Sequence, residues 1–329
     1  MALKQIGVLT SGGDCPGLNA CVRAVVRSAG AAGVGVLGIR YGYRGIVDND
    51  ILPLDDRSVS GIIQLGGTKL RTSRFLELRQ PEVVQSTAAA LDRLGVDGLI
   101  VIGGDGSQRA AVALSEHSRT PIVFVPKTID NDVGGTDYAI GFDSAVNTAV
   151  EAIDKIRDTA LSHERVFAVE VMGRGRGILA SAVALASGAE VVCIPEVPLE
   201  VEAIASALLR CSKKGKCSSI IVVAEGCPGG ANKLAEDLRQ KVPFDVRVSV
   251  LGYMQRGGPP TAFDRILASE LGAQAFDVLS GGISCPVMVG RIRGEPVTHD
   301  LREALHIEPH SFKELRDLCH RLSGVWAGT

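Results

Sequence analysis

Residues 98–107 read Gly98-Leu99-Ile100-Val101-Ile102-Gly103-Gly104-Asp105-Gly106-Ser107. Four consecutive apolar side chains bounded by glycine are too few for a helix and lack the alternation of a strand with one wet face. They describe a strand buried on both sides. Comparable β-branched runs recur at 6–9, 36–39, 122–125, 166–171, 191–194, 220–224, 246–251 and 287–289. Between them the period changes. From Ser144 onward Val146, Val150, Ile153 and Ile156 form one stripe, while Glu151, Asp154, Lys155 and Arg157 turn outward. Such alternation specifies an α/β fold with mainly parallel sheets. With 329 residues at roughly 150 per domain, the chain is expected to form two three-layer α/β/α domains. The polar, glycine-rich stretch 131–141 is the expected first crossing between them, and 256–260 the return.

Composition removes several function classes. The chain carries 35 Lys and Arg against 37 Asp and Glu, a formal charge of −2, with 22% charged and 46% hydrophobic residues. No sustained basic excess exists to displace counterions from a nucleic-acid backbone, so general nucleic-acid binding is excluded while a local anion site is not. The longest apolar stretches, 220–224 and 99–102, fall far short of the roughly 18 to 20 residues of a membrane span. The opening Met-Ala-Leu-Lys-Gln-Ile-Gly has no apolar region followed by a small-residue cleavage site, so a cytoplasmic protein is expected. Eight cysteines without one CxxC pair read as reduced thiols and argue against zinc.

Three expected strands end in residues suited to phosphate. After 6–9 comes Thr10-Ser11-Gly12-Gly13-Asp14-Cys15-Pro16-Gly17-Leu18-Asn19. Its glycines let backbone N–H groups approach an anion at a helix N-terminus. The run matches neither G-x-x-x-x-G-K-[ST] nor G-x-G-x-x-G, so Walker NTPases and dinucleotide-binding dehydrogenases lose support. Taken alone, it also fits a plain tight turn. Asp105, flanked by glycines at a strand's carboxyl end, is placed to hold a hydrated magnesium beside phosphates. Its alternative role is to cap a helix starting at Ser107. The third strand ends in Val125-Pro126-Lys127-Thr128-Ile129-Asp130-Asn131-Asp132. There two carboxylates, one Lys and one Thr lie together, and Asx-turns are the structural alternative.

Joined by Val169-Glu170-Val171-Met172-Gly173-Arg174, Ala224-Glu225-Gly226 and Leu251-Gly252-Tyr253-Met254-Gln255-Arg256-Gly257-Gly258, these runs resemble the motifs of the 6-phosphofructokinases. Order and spacing agree from about residue 5 to about residue 305. The resemblance implies an active site in the cleft between the two domains. Residues 1–140 with 256–304 would handle the nucleotide and phosphoryl donor, and 141–255 with 305–329 the sugar phosphate. It implies transfer of the γ-phosphoryl group of ATP to the C1 hydroxyl of fructose 6-phosphate, a glycolytic step, with Mg²⁺ as cofactor.

Residue by residue, the resemblance makes Asp130 the base that takes the hydroxyl proton, with Arg74 and Thr128 as further catalytic residues. Asp105 would hold Mg²⁺. Gly13, Tyr43, Arg74, Phe75, Gly104, Asp105, Gly106 and Ser107 match nucleotide-side positions, and Thr128, Asp130 and Asp132 substrate-side ones. Arg165, Arg247 and Arg256 correspond to the 6-phosphate clamp, where guanidinium forks suit a dianion. Met172, Gly173, Arg174 and Glu225 match positions around the sugar hydroxyls, and Tyr253 stands on the 6-phosphate side. In the family the counterparts of Arg165 and Arg247 come from a neighbouring subunit, which implies at least a dimer and by analogy a homotetramer.

Departures from the family pattern bear on the donor. Lys127 stands where the usual bacterial ATP-dependent members have glycine, and Tyr253 where they commonly have His; both choices are typical of pyrophosphate-dependent members. Gly106 is of the ATP type, because an Asp there would crowd and repel the nucleotide's α-phosphate. Gly106 and Lys127 are therefore the expected donor-selecting pair, with ATP as the donor and pyrophosphate as the alternative. Arg23, Arg27, Arg157, Glu190, Lys214 and Lys216 fall where allosteric relatives bind ADP or phosphoenolpyruvate at a subunit interface. Asp56 replaces an arginine there, and that inversion of sign implies blunted effector control. The run 213–216 reads alternatively as a solvated loop. A non-catalytic, sugar-phosphate-sensing relative is disfavoured because Asp130, Asp105 and Arg74 are all retained. Another sugar phosphate, such as sedoheptulose 7-phosphate, stays open as acceptor. The tail 309–329, with Trp326, carries no motif.

Overall fold

A strand covered by helices on both faces needs apolar side chains on both, and the central strands supply them: Leu99–Gly103 and Ile122–Pro126 are buried at every position. The computed structural model describes residues 3–163, 165–198, 200–215, 218–309, 311–322 and 325–326. In chain order it begins β1 (Gln5–Thr10), α1 (Leu18–Ala31), β2 (Gly35–Ile39), α2 (Tyr43–Val47), β3 (Ile51–Leu54), α3 (Pro81–Arg93), β4 (Leu99–Gly103) and α4 (Asp105–Ser115). It continues β5 (Ile122–Pro126), α5 (Phe142–His163), β6 (Val166–Val171), α6 (Ile178–Ser187), β7 (Val191–Cys193), α7 (Val201–Lys213), β8 (Ser219–Ala224) and α8 (Gly230–Arg239). The rest is β9 (Val246–Val250), α9 (Ala262–Ser280), β10 (Val287–Ile292), β11 (Glu295–Asp300), α10 (Leu301–Ala304), α11 (Ser311–Leu322) and β12 (Val325–Trp326). The chain divides into two units, residues 1–143 with 256–310 and residues 144–255 with 311–329. No helix among the described residues is long and apolar enough to cross a membrane.

The first unit is built on a seven-stranded sheet of order β11-β10-β5-β4-β1-β2-β3. Five strands run parallel, and β3 and β11 pair antiparallel at the two edges. On one face α1 and α9 pack against each other and against β1, β2, β5 and β10. Gly272 permits the close approach, since a Cβ there would lie 2.7 Å from the Cys21 carbonyl oxygen. On the other face Leu9, Leu99, Val101 and Phe124 pack with Leu91 of α3 and Leu114 of α4. The two edge strands lack the unbroken β-branched runs of the central strands. Proline cannot donate to a ladder, so β3, Ile-Leu-Pro-Leu, suits an edge. The polar β11 is joined to β10 by Arg293-Gly294, whose φ angles of 53° and 84° fit a two-residue hairpin turn.

The second unit holds five parallel strands in the order β12-β7-β8-β6-β9. Helix α6 lies on β7 and β8 with α11 against it, while α8 packs on β6, β8 and β9 beside α7. The motif-free tail thus supplies α11 and β12.

One topological feature positions the site. From β1 the chain runs outward to β2 and β3, then returns on the other side of β1 to make β4 and β5. Loops leaving the carboxyl ends of β1 and β4 diverge at this switch point and open a crevice, the usual ligand position in an open α/β sheet.

Candidate active site

The crevice is lined first by the turn after β1. Gly12 has φ +86°, a left-handed conformation that glycine adopts without strain. The Ser11 amide donates to Ile102 O at 2.9 Å, and Ser107 Oγ to Ser11 Oγ at 2.9 Å, so the turn is sewn to the end of β4. Tyr43 is buried and donates its hydroxyl to Ser107 O at 2.6 Å. Burial also pushes its phenol pKa far up. Thr72 Oγ1 donates to Gly12 O at 2.8 Å, and the Gly12 amide reaches Ser73 O at 3.4 Å. Arg74 therefore follows a segment held against the turn, with its side chain exposed, while Phe75 is half-buried against the apolar cluster that includes Tyr43.

Helix α4 begins at Asp105, two residues before the expected start at Ser107, and its N-cap is Gly104, so Asp105 is not the cap. The Asp105 carboxylate pairs with Arg109 one turn on, at 3.0 Å. With side chains 47% and 63% exposed, such a pair is worth at most about 1 kcal/mol and does not lock the carboxylate. A Cβ at Gly106 would meet nothing within 4 Å, so the space beside Asp105 is open. Mg²⁺ takes one or two carboxylates and completes its shell with water and phosphate oxygens. One accessible carboxylate at a helix N-terminus that favours phosphate fits that demand. Among the described residues no cluster of three or more His, Cys, Asp or Glu side chains is arranged for a metal.

The third wall is the end of β5. Lys127 N donates to Gly103 O at 2.8 Å, and a Cβ at Gly104 would sit 3.4 Å from Lys127 O and 3.7 Å from Thr128 Cβ. Thr128 Oγ1 accepts from the Asp130 amide at 3.1 Å. Asn131 braces the turn: its side chain donates to Asp137 O at 3.0 Å and accepts from the Ala139 amide at 2.7 Å. Asp132 is half-buried beside it. Buried Lys127 is close enough to Asp14, Asp130 and Arg256 for their charges to act on it. The Arg256 guanidinium lies against Gly13, with Nη1 3.2 Å from where a Cβ would be. One unit thus gathers Gly13, Gly104, Asp105, Gly106, Lys127, Thr128, Asp130 and Arg256 at three adjacent strand ends.

In the second unit the expected sugar-phosphate residues fall into two sets. Met172, Gly173 and Arg174 follow β6 at its carboxyl end, and Arg174 Nε lies 3.6 Å from Glu225 Oε1 after β8. The Met172 amide donates to Gln255 Oε1 at 2.8 Å. Tyr253, after β9, is at the same end and 77% exposed. Arg165 precedes β6, and Arg247 is the second residue of the parallel neighbour β9. Both place Nε on one oxygen of Asp245, at 3.1 and 2.8 Å. At about 3.3 Å per residue, the length of β6 separates the two sets by roughly 20 Å. Sequence reasoning missed Asp245 and Gln255; the only available signal was their place beside Arg247 and inside the run 251–258.

Of the expected effector residues, Arg23 is half-buried and Arg27 Nε pairs with Asp56 at 3.3 Å in the first unit. In the second unit Arg157 lies 3.7 Å from Glu190 and donates to Ser187 O at 2.8 Å. Glu190 also accepts from the Ile220 amide at 2.6 Å, so its carboxylate is engaged by the fold. Lys214 is exposed, and Lys216 lies outside the described residues.

The phosphofructokinase family pattern matches residues 5–279. An ATP-dependent 6-phosphofructokinase of Thermus thermophilus is 53% identical over 99% of this chain and 100% of its own length. A relative of the same name from Bacillus mycoides is 49% identical over 98% of this chain and all of its own. The solved phosphofructokinase of Saccharomyces cerevisiae superposes with a TM-score of 0.89 at 31% identity, over 96% of this chain and 50% of the yeast chain. With the strand-end motifs lying in the order of that family along nearly the whole chain, the protein belongs to the phosphofructokinase family.

Proposed function

We propose that this protein is an ATP-dependent 6-phosphofructokinase, transferring the γ-phosphoryl group of ATP to the C1 hydroxyl of fructose 6-phosphate to give fructose 1,6-bisphosphate and ADP. The observation that carries this reading is agreement over the full length with relatives bearing that name. Pyrophosphate-dependent transfer and non-catalytic sensing are the readings it displaces.

In this reading Asp130 takes the hydroxyl proton as the C1 oxygen approaches phosphorus, from a turn held by Thr128. Phosphoryl transfer is mainly positioning and charge neutralisation. The N–H groups of Gly13 and Asp14 and the N-terminus of α4 receive phosphate oxygens, and Arg74 offsets charge on the moving group. Asp105 would hold Mg²⁺, which when bound neutralises donor phosphate oxygens. Gly106 leaves room for a nucleotide where a carboxylate would repel it. Met172, Gly173, Arg174 and Glu225 meet the sugar hydroxyls. Arg165 and Arg247, a strand length from that set, bind the 6-phosphate of a second copy's substrate, so the working form is at least a dimer and by family analogy a homotetramer. The protein acts in the cytoplasm, with effector control weakened by the Arg27–Asp56 pair.

The test is turnover of fructose 6-phosphate by purified protein with Mg²⁺ and either ATP or pyrophosphate. ATP-dependent formation of the bisphosphate is expected. Turnover with pyrophosphate alone overturns the donor assignment, and no turnover with either overturns the enzyme.

A further inference from the structure

Lys127 is 3% exposed, and lysine is seldom so buried unless its ammonium is paired. Here Nζ donates to two backbone carbonyls, that of Ser11 at 3.2 Å and that of Gly13. Its own N–H donates to Gly103 O at 2.8 Å. A single residue after β5 therefore grips the turn after β1 and the end of β4.

The turn has need of such a partner. Its left-handed Gly12 turns successive carbonyls out of line with the β1 ladder, and buried carbonyls must be satisfied somewhere. Thr72 Oγ1 satisfies Gly12 O, and Lys127 satisfies the two on either side. Burial lowers the proton affinity of Nζ and Arg256 adds to this, while Asp14 and Asp130 oppose it. Two of the three ammonium protons are directed at the turn's backbone, which leaves one at most for a phosphate oxygen.

We propose that Lys127 is a positioning residue, whose two-carbonyl tether fixes the path of Ser11, Gly12 and Gly13 and so shapes the donor turn instead of choosing between ATP and pyrophosphate. The inference rests on the reading of that turn as the donor site, and it departs from the donor-selecting role that the family resemblance gives this lysine.

The experiment uses the full chain as wild type, Lys127→Met and Lys127→Gln. Three quantities are read: amide hydrogen exchange in the peptide covering residues 10–19, KM for Mg-ATP and for fructose 6-phosphate, and turnover with pyrophosphate. Lys127→Met is expected to speed exchange in that peptide and raise KM for Mg-ATP by about 10-fold or more, with KM for fructose 6-phosphate within about 3-fold and no gain of pyrophosphate turnover. Lys127→Gln, which keeps volume and one donor for a carbonyl, is expected to fall between. Should Lys127→Met not fold, the Gln variant decides on the same readings. Unchanged exchange with unchanged KM for Mg-ATP overturns the tether, as does a switch of donor without altered exchange. If the wild type turns over neither donor, the reading of the site falls while the exchange comparison still decides the tether.

Discussion

Arg165 and Met172 flank opposite ends of the same strand, β6. A hexose phosphate is too short to touch both within one chain, yet each belongs to the set expected around it. Two copies of the chain resolve this if each lends its arginines to the other's substrate. Mixing two inactive variants checks it. Arg165→Ala keeps its own base but donates no guanidinium, and Asp130→Ser donates the guanidinium but has no base. Co-refolded mixtures are expected to recover a measurable fraction of wild-type activity, and strictly additive, near-zero activity rules out the shared site.

Asp130→Ser by itself is expected to lower kcat by about 10² to 10⁴, the usual contribution of a general base, with both KM values within a few-fold. A kcat that barely moves means another group takes the proton.

At Gly106 a new side chain meets open space, so Gly106→Asp tests charge more than packing. Unfolding stability should stay within about 0.5 kcal/mol of wild type, as for other surface changes. Use of ATP should fall at least 10-fold while binding of fructose 6-phosphate is nearly unchanged. Equal loss of both, read by steady-state kinetics, assigns Gly106 a structural role.

Thiol chemistry offers a pH test. Cys15 is buried with Sγ 3.4 Å from Ile140 O, and burial pushes its pKa from 9.0 up to about 12. Burial also raises Cys21 and Cys193 strongly. A thiol that keeps its proton when folded but releases it near pH 9 when unfolded contributes stability below pH 9 and loses it as pH climbs towards 12. Denaturant midpoints should therefore decline above about pH 9, less steeply in Cys15→Ala. Labelling by a disulfide reagent at pH 8 should be slow at these three sites until denaturant is added; rapid native labelling of Cys15 contradicts its burial.

The Arg27–Asp56 pair is too exposed to matter much for stability, but it changes the charge that an effector bound at the proposed site would meet. Phosphoenolpyruvate is expected to inhibit weakly, and Asp56→Arg to strengthen that inhibition severalfold in initial-rate assays. Strong inhibition of the wild type excludes this account.

The central strands are legible because burial on both faces leaves an unbroken apolar run, as at Leu99–Gly103. Edge strands β3 and β11 are not, since each contains proline and needs apolar contact on fewer sides. The start of α4 lies two residues before the expected Ser107, because Gly104 takes the N-cap and Asp105 already stands in the first turn, paired with Arg109. Site residues are visible as motifs. Their partners are not, because Lys127 meeting Ser11, or Asp245 meeting Arg165, depends on which strands become neighbours in space.

The first unit is assembled from two stretches separated by 112 residues of the other, 144–255. Its strand β10 joins β5, and its helix α9 covers α1, only after that insertion has been made. On the ribosome the apolar flank of α1 must wait, uncovered, through the synthesis of a whole neighbouring unit. Late arrival of α9 is therefore the step at which a nascent chain is most exposed to sticking, and the one where a chaperone would shield it.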